Sequence, residues 1–120
     1  MQISELRPNA KKVDLVFKVL SKGEVRDVVA KMSGQQLKVC EATIGDASGT
    51  VLLSLWNEDI ERIEVGKSYA LANGYVTTFR NSIRLNVGKY GQLAEAEEEV
   101  AEVNEGNNLS EKEFEEKKDF

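Results

Sequence analysis

Residues 37–56 decide the fold, and they read LKVCEATIGDASGTVLLSLW. The segments from about Leu37 to Ile44 and from Thr50 to Trp56 are rich in apolar and β-branched residues, which is typical of strands. Between them, residues 45–49 (Gly-Asp-Ala-Ser-Gly) have turn chemistry, with glycines available for positive φ. The stretch therefore predicts two strands joined as a tight hairpin.

The flanking sequence predicts three more strands and one short helix. Residues 13–20 alternate with a period of two and residues 25–29 resume the pattern, so one interpretation is a long first strand bent at Gly23. Asn57 to Ile63 is the helical candidate, with Asn57 as its cap and Gly66 after its end. Strands four and five are predicted at residues 68–78 and 83–88. This order predicts an all-β fold, a five-stranded OB-fold barrel whose helix lies between strands 3 and 4 and plugs one end.

Charge divides the chain near residue 93. Residues 1–93 contain 13 Lys and Arg against 10 Asp and Glu, a net charge of +3, whereas residues 94–120 contain 3 against 11, a net charge of −8. The second segment has few apolar residues and no strand alternation, so it is expected to be disordered. We predict an OB domain over residues 1–93 and an acidic, disordered C-terminal tail over residues 94–120.

Composition excludes several kinds of active site. The chain has no histidine, which excludes histidine-dependent triads and His-containing zinc sites. A lone Cys40 cannot form an intramolecular disulfide or a metal-binding thiolate cluster, and it fits a reducing compartment. The longest apolar run is far shorter than a membrane span, and the N-terminus lacks an export pattern. We expect a soluble protein that is not an enzyme and needs no metal or cofactor.

Trp56 is the most informative single residue. If Val51, Leu53 and Leu55 face the core, alternation leaves Trp56 on the opposite face, toward solvent. An exposed indole suggests a ring on which a ligand stacks. The alternative is that Trp56 packs under a neighbouring loop or on the helix.

Two further aromatic residues belong to the last predicted hairpin. Phe79 lies in its polar tip, where it either stacks on a ligand or clamps the rim of the barrel. Tyr75 has the strand parity of Tyr69, which places it in the core unless a bulge near residues 73–74 turns it outward. From the residues alone, both orientations of Tyr75 stay open.

Basic residues lie around these rings. Nucleic-acid binding without base-specific readout combines cations for phosphates with aromatic faces for bases. The candidate cations are Arg26, Lys31, Lys38, Arg80, Arg84 and Lys89. Each alone is ordinarily a solvated surface charge, but the interleaving of aromatic residues and arginines over residues 75–84 favours a nucleic-acid-binding face.

Several motifs together resemble one known family. They are residues 6–9 (Leu-Arg-Pro-Asn), residues 42–49 leading into residues 53–56 (Leu-Ser-Leu-Trp), residues 66–67, and residues 73–79 (Asn-Gly-Tyr-Val-Thr-Thr-Phe). Over about residues 3–93 the chain resembles the archaeal single-OB-fold single-stranded-DNA-binding proteins, which are more distantly related to replication protein A domains. The resemblance implies base stacking on Trp56, Tyr75 and Phe79, and it favours an outward Tyr75. The supporting cations that it implies are Arg26, Arg80 and Arg84.

The residues and the resemblance together give a functional expectation. We expect a protein that binds and protects single-stranded DNA with little sequence preference, in DNA replication, recombination and repair. The acidic tail is expected to recruit replication or repair proteins, a monomer is favoured, no membrane is involved, and the location is cytoplasmic and nucleoid-associated. The alternatives are an RNA-binding OB domain, and an OB adaptor that contacts protein through Trp56.

Overall fold

The computed structural model describes residues 1–79, 82–88 and 90–110, and most of its regular structure is β-strand. The elements in chain order are a 3₁₀-helix at Ile3–Glu5, β1 at Val13–Lys22, β2 at Arg26–Val29, β3 at Gln36–Asp46, β4 at Gly49–Trp56, α1 at Glu58–Arg62, β5 at Ser68–Phe79, β6 at Ser82–Asn86 and β7 at Gln92–Glu95. The predicted hairpin is formed by β3 and β4, which pair in continuous register from Val39 opposite Trp56 to Asp46 opposite Gly49.

Five of these strands close into a ring. β1 pairs with β5 over residues 13–18 and with β3 over residues 18–22, so it joins two edges of one sheet. The order β1, β3, β4, β6, β5 then returns to β1, with a parallel contact between β4 and β6. The prediction of an all-β fold with five principal strands and a helix between the third and fourth of them is confirmed.

The core lies inside this ring. Strand alternation points one set of side chains inward, and those side chains are apolar and buried. The largest fully buried ones include Phe17, Ile44, Leu53, Leu55 and Leu85. Ile60 of α1 and Ile63 just after it are also buried. Burial of side chains of this size contributes about 1.5–3 kcal/mol each, so the alternation of the sequence is what holds the ring together.

The ends of α1 are tied to the strands. Lys22 Nζ donates to the carbonyl oxygens of Ile60 (2.5 Å) and Ile63 (2.8 Å), which satisfies acceptors at the C-terminal end of this five-residue helix. Asn57 takes the N-cap position, but its side chain does not cap the helix. Its Oδ1 accepts a hydrogen bond from the backbone N–H of Lys38 at 3.0 Å instead, which fastens the end of β4 to β3.

The predicted long first strand is divided into β1 and β2. β3 is long enough to pair with β1 through its C-terminal half and with β2 through its N-terminal half. At the break, the Gly23 N–H donates to the carbonyl oxygen of Glu41 at 2.8 Å. Both strands therefore lie in succession along one edge of β3, and β2 with the start of β3 forms a projecting arm in which all four β2 residues are exposed.

Asp46 organises the turn between β3 and β4. Its Oδ1 accepts hydrogen bonds from the N–H of Ser48 (2.8 Å) and of Gly49 (3.2 Å), and its Oδ2 accepts one from the N–H of Ile3 (3.0 Å). The carboxylate is buried, so these bonds also offset its desolvation. One side chain thus joins the hairpin turn to the N-terminal 3₁₀-helix.

Residues 94–110, the described part of the predicted tail, lie against the ring. β7 pairs with β5, so the predicted boundary at residue 93 falls inside a strand. Beyond it, residues 96–110, here called the strap, run along the ring. The Thr50 N–H donates to the Asn107 carbonyl at 2.9 Å, and the Leu109 N–H donates to the Thr50 carbonyl at 2.8 Å. Residues 111–120 of the predicted tail lie outside the described residues.

The strap has two anchors that its overall composition does not reveal. Leu109 is 2% exposed and belongs to the core. The Ser110 hydroxyl accepts a hydrogen bond from the Leu52 N–H (2.9 Å) and donates one to the Ile83 carbonyl (2.7 Å), so it links β4 to β6. This segment, with five glutamates among its fifteen residues, is therefore held against the ring because its last residues satisfy backbone groups and bury one apolar side chain.

We expect Leu109→Ala to lower the free energy of unfolding by about 2–5 kcal/mol, because it leaves a cavity beside the ring. Urea unfolding measures the change. Glu105→Ala is the matched control, since Glu105 is an exposed side chain of the same strap and its loss should change the stability by no more than about 0.5 kcal/mol. Equal midpoints for wild type and Leu109→Ala would mean that the strap is not packed on the ring.

Candidate nucleic-acid interface

One outward surface of the ring carries three of the candidate residues, Trp56, Tyr75 and Arg84, and we call it the outer face. It is formed by Glu41 of β3, Ser54 and Trp56 of β4, Tyr75 and Thr77 of β5, and Arg84 and Asn86 of β6. Apart from Asn86, which is buried at 7% exposure, these positions are at least partly exposed and alternate with buried ones along each strand. The outer face is therefore the polar and aromatic counterpart of the apolar core.

Trp56 lies at the end of β4 on the outer face. Leu53 and Leu55 point into the core, and Trp56, opposite Val39 of β3, keeps 40% of its surface exposed. A large apolar ring left this accessible on a sheet face offers a stacking surface. The outward orientation expected from alternation is what the structure shows.

Tyr75 also points outward, because β5 contains a bulge. Val13 pairs with Gly74 and Leu15 with Leu71, so β5 advances three residues while β1 advances two. Asn73 takes up the extra residue with φ 58°. One inserted residue exchanges the two faces of a strand. Tyr75 is 39% exposed, and the orientation that the residues alone left open is decided in favour of the outer face.

Two glycines make room for this arrangement. A Cβ at Gly74 would lie 2.8 Å from the Asn86 carbonyl oxygen and 2.7 Å from Leu71 Cδ2. A Cβ at Gly88 would lie 2.5 Å from Tyr75 Cε1, so the ring of Tyr75 rests directly on the Gly88 backbone. Gly74 permits the bulge, and Gly88 supports the ring that the bulge turns outward.

A polar row connects the neighbourhoods of the two rings. Ser54 of β4 is opposite Asn86 of β6, and Asn86 is opposite Tyr75 of β5. Asn86 Nδ2 donates to Thr77 Oγ1 at 2.9 Å, which holds the amide in place. Trp56 lies two residues beyond Ser54 on the same strand and face. The rings of Trp56 and Tyr75 thus belong to one continuous surface.

Glu41 holds two of the candidate cations. Its Oε1 lies 3.4 Å from an Nη of Arg26 and its Oε2 lies 3.3 Å from Nε of Arg84. Arg84 Nη1 also donates to Ser82 Oγ at 2.7 Å. The Arg26 side chain is 65% exposed and that of Arg84 is 21% exposed. The pair is therefore oriented at the outer face by a carboxylate that partly neutralises it.

The other candidates are placed less centrally. Lys31 is exposed in the turn after β2. Lys38 is exposed on β3 but has the strand parity of Cys40, opposite to that of Val39 and Glu41, so it points to the other side of the arm. Arg80, Lys89 and the side chain of Phe79 lie outside the described residues, although the backbone of Phe79 ends β5 opposite Ser82.

A groove beside Tyr75 was not predicted from the sequence, and we call it the Tyr90 groove. It has a volume of about 830 Å³, and Lys11, Lys12, Tyr75, Gly88 and Tyr90 are among the residues that line it. Lys11 and Lys12 precede the first strand and Tyr90 follows the last predicted one. These residues do not share a strand, so strand alternation could not predict that they line one groove. The only sequence signal is that the groove lies beside Tyr75, a predicted stacking residue.

Other features of the described residues do not suggest a reactive site. Within residues 1–79, 82–88 and 90–110, no cluster of three or more Cys, Asp or Glu could hold a metal ion. A hydrogen bond and the charge of Lys67 lower the pKa of the Glu64 carboxyl, and Glu64 raises the pKa of the Lys67 ammonium. That pair lies before β5, away from the outer face. No helix in the described ranges is long and apolar enough to cross a membrane.

Comparison with known proteins relates this geometry to a family. The family described as "Single-stranded DNA binding protein Ssb-like, OB fold" matches residues 6–95. The single-stranded DNA binding protein Ssb of Saccharolobus solfataricus is 31% identical over 98 residues, which is 82% of this chain. The match covers 65% of that protein, so the chain spans just under two thirds of its relative's length.

Two solved structures share the architecture. A hypothetical protein from Arabidopsis thaliana has a TM-score of 0.82 at 26% identity, covering 100% of this chain and 88% of that chain. The second OB-fold domain of replication protein A from Methanococcus maripaludis has a TM-score of 0.66 at 21% identity, covering 83% of this chain and 97% of that domain. These likenesses confirm the predicted OB fold.

We expect Gly88→Ala to displace the Tyr75 ring, because the new Cβ would overlap Cε1. Gly66→Ala is the matched control, since Gly66 also has positive φ (90° against 77° for Gly88) but nothing within 4 Å of an added Cβ. Both substitutions should cost about 1–2 kcal/mol of stability through backbone strain. Only Gly88→Ala should shift the ring-proton resonances of Tyr75 in an NMR spectrum. Unchanged Tyr75 resonances in folded Gly88→Ala would contradict the packing of the ring on Gly88.

Proposed function

Because the chain belongs to the Ssb-like family of single-stranded DNA binding proteins with an OB fold, we propose that it binds and protects single-stranded DNA along its outer face. The observation that carries this proposal is the presence of two exposed rings, Trp56 and Tyr75, on one continuous sheet surface next to arginines. The proposed role is binding, with no chemical step.

Stacking is the proposed source of affinity. Every base has a π-face, so rings such as those of Trp56 and Tyr75 accept any base, and each stacked base contributes about 1–3 kcal/mol. Phe79, at the end of β5, is proposed as a third stacking residue on the basis of its position in the sequence. Stacking without readout of base edges accounts for little sequence preference. The same rings would remain out of reach of bases that are paired and stacked in a duplex.

Phosphate binding is the proposed second component. Arg26 and Arg84 lie at the edge of the stacking surface, and Glu41 orients them. Lys31, Lys38 and Arg80 are proposed to bind further phosphates from the surrounding segments. Because binding of cations to phosphates releases counterions, the affinity should fall as the salt concentration rises.

Glu41 affects how strongly the arginines of the outer face can bind phosphate. A carboxylate between two arginines fixes their side chains, but it also competes with a phosphate for them. The ion pairs are partly solvent-exposed, so their loss costs little stability. Glu41 is therefore proposed to limit the affinity of the face and so to favour reversible coverage of DNA.

The acidic C-terminal region is proposed to serve protein partners. Residues 97–99 are three consecutive exposed glutamates in the strap, and they lie near Val16 and Ala70, away from Trp56. Negative charge held apart from the outer face leaves it accessible to DNA. We propose that this region recruits replication or repair proteins. We also propose that the protein is a cytoplasmic, nucleoid-associated monomer.

We expect oligothymidine to change the fluorescence of Trp56, which is the only tryptophan in the chain. Trp56→Ala should weaken binding by about 5-fold to 100-fold through loss of one stacked base, measured by anisotropy of a labelled oligothymidine. Trp56→Phe should retain much of the affinity. Val16→Ala, a change at an exposed apolar residue of β1, is the control and should bind like wild type. Absence of binding by wild type at low salt would disprove the proposed function.

We expect Glu41→Gln to strengthen oligothymidine binding, because it frees Arg26 and Arg84 for phosphates. The slope of log affinity against log salt concentration should become steeper, by up to about 0.7 for each additional phosphate that the freed arginines neutralise. Glu61→Gln removes an equal charge from an exposed position on α1 and controls for net charge. Weaker binding by folded Glu41→Gln would show that Glu41 supports the site instead of limiting it.

A further inference from the structure

We propose that the Tyr90 groove is a further nucleotide subsite, in which the bound strand continues past Tyr75 and places a phosphate at Lys11 or Lys12 and a base against Tyr90. This inference rests on the proposed function and extends it to residues outside the three-ring set. It names one occupant, which is the next nucleotide of a single strand lying on the outer face.

The first argument is continuity. Tyr75 belongs both to the outer face and to the wall of the groove. A strand whose base stacks on Tyr75 therefore already stands at the groove's entrance. The groove volume of about 830 Å³ lies within the range of small-ligand sites, which run to about 1,000 Å³. A groove of this volume is large enough for one nucleotide.

The second argument is the way the backbone presents the two lysines. Asn9 and Lys12 both have positive φ, 65° and 54°, so the segment before β1 curls. The Ala10 carbonyl accepts a hydrogen bond from the Val76 N–H at 2.8 Å, and Val13 pairs with Gly74. Residues 10–13 are thereby held against β5 on either side of Tyr75. Lys11 and Lys12 are positioned by the fold instead of projecting from a loose terminus.

The third argument is charge. Lys11 and Lys12 are exposed and make no ion pair with a described residue, whereas Arg26 and Arg84 share Glu41. None of the described residues that line the groove is acidic. An anion therefore meets less competition at Lys11 and Lys12 than at Arg26 and Arg84. This favours a phosphate over a neutral or cationic ligand.

The fourth argument is the aromatic wall. Tyr90 is 75% exposed, and its carbonyl oxygen accepts a hydrogen bond from Asn73 Nδ2 at 3.3 Å. Asn73 is the residue that forms the bulge, and its N–H is held by Asp14 Oδ1 at 2.9 Å. The bulge that turns Tyr75 outward is thus joined to the segment that carries Tyr90. The groove therefore combines cations with aromatic side chains, which is the combination that binds single-stranded nucleic acids.

The test compares variants on oligothymidines of about 4 to 16 nucleotides, with Trp56 fluorescence as the signal. The groove variants are Lys11→Gln, Lys12→Gln and Tyr90→Ser, and Tyr90→Phe keeps the ring. Lys67→Gln is the charge control, since Lys67 precedes β5 and lies about 20 Å along that strand from Gly74. All of these side chains are exposed, so urea unfolding should confirm that each variant is folded.

We expect Tyr90→Ser to weaken binding of the longer oligomers about 5-fold or more and to leave the shortest ones unaffected. At least one of Lys11→Gln and Lys12→Gln should lower the salt slope by about 0.7, whereas Tyr90→Phe and Lys67→Gln should behave like wild type. If wild type binds and Trp56→Ala weakens binding, but the groove variants match wild type at every length, the subsite is disproved and the proposed function stands. An equal loss in Lys67→Gln would also overturn the subsite, because net charge alone would explain it. No binding by wild type would overturn both.

Discussion

Closure of the sheet is the constraint on which the rest of the structure depends. Each buried backbone group needs a hydrogen-bond partner, and a strand at an open edge of the sheet would leave a row of them unpaired. On one side of the ring, β1 leaves no open edge because it pairs with both β3 and β5. On the other side of the ring, β4 and β6 pair in parallel at Leu53 and Ser54 of β4. The Ser110 hydroxyl adds a second link there, because it binds backbone groups of both Leu52 and Ile83. The strap is therefore part of the closure.

The same ring positions the proposed interface. Closing the sheet directs one set of side chains inward, so the other set must face solvent. A strictly regular β5 would have placed Tyr75 inside with Tyr69. The extra residue at Asn73 reverses the two faces from that point on, which brings Tyr75 to the side of Trp56. The one-residue bulge at Asn73 thus determines whether Tyr75 joins Trp56 on the outer face.

Charge acts through its distribution and not through its sum. A net charge of −5 would disfavour a polyanionic ligand if it were spread evenly. Instead, six of the acidic residues lie at positions 95–105, in β7 and the strap, and Glu95 to Glu99 line a surface with Val16 and Ala70. The Tyr90 groove has lysines and no described acidic lining residue. Glu41 brings a carboxylate onto the outer face, and there it is matched by two arginines.

The succession of five principal strands along the chain, the hairpin of residues 37–56 and the outward Trp56 could be predicted from the sequence, because period-two alternation and turn chemistry are local signals. The division of β1 from β2 could not, since it depends on how far β3 extends beside both. The path of residues 96–110 could not be predicted for a similar reason: Leu109 and Ser110 bind groups on β4 and β6, and composition does not identify such distant partners.

The sequence by itself determined that this chain forms an all-β OB fold with an exposed tryptophan and no histidine chemistry. The tertiary structure alone decided the direction of Tyr75, the pairing of Arg26 and Arg84 through Glu41, and the meeting of Lys11, Lys12 and Tyr90 in one groove. The physical reason is the separation along the chain of the residues that determine each feature. Alternation is imposed by neighbouring residues, whereas a bulge, a shared ion pair and a groove are set by register between strands that are distant in the chain.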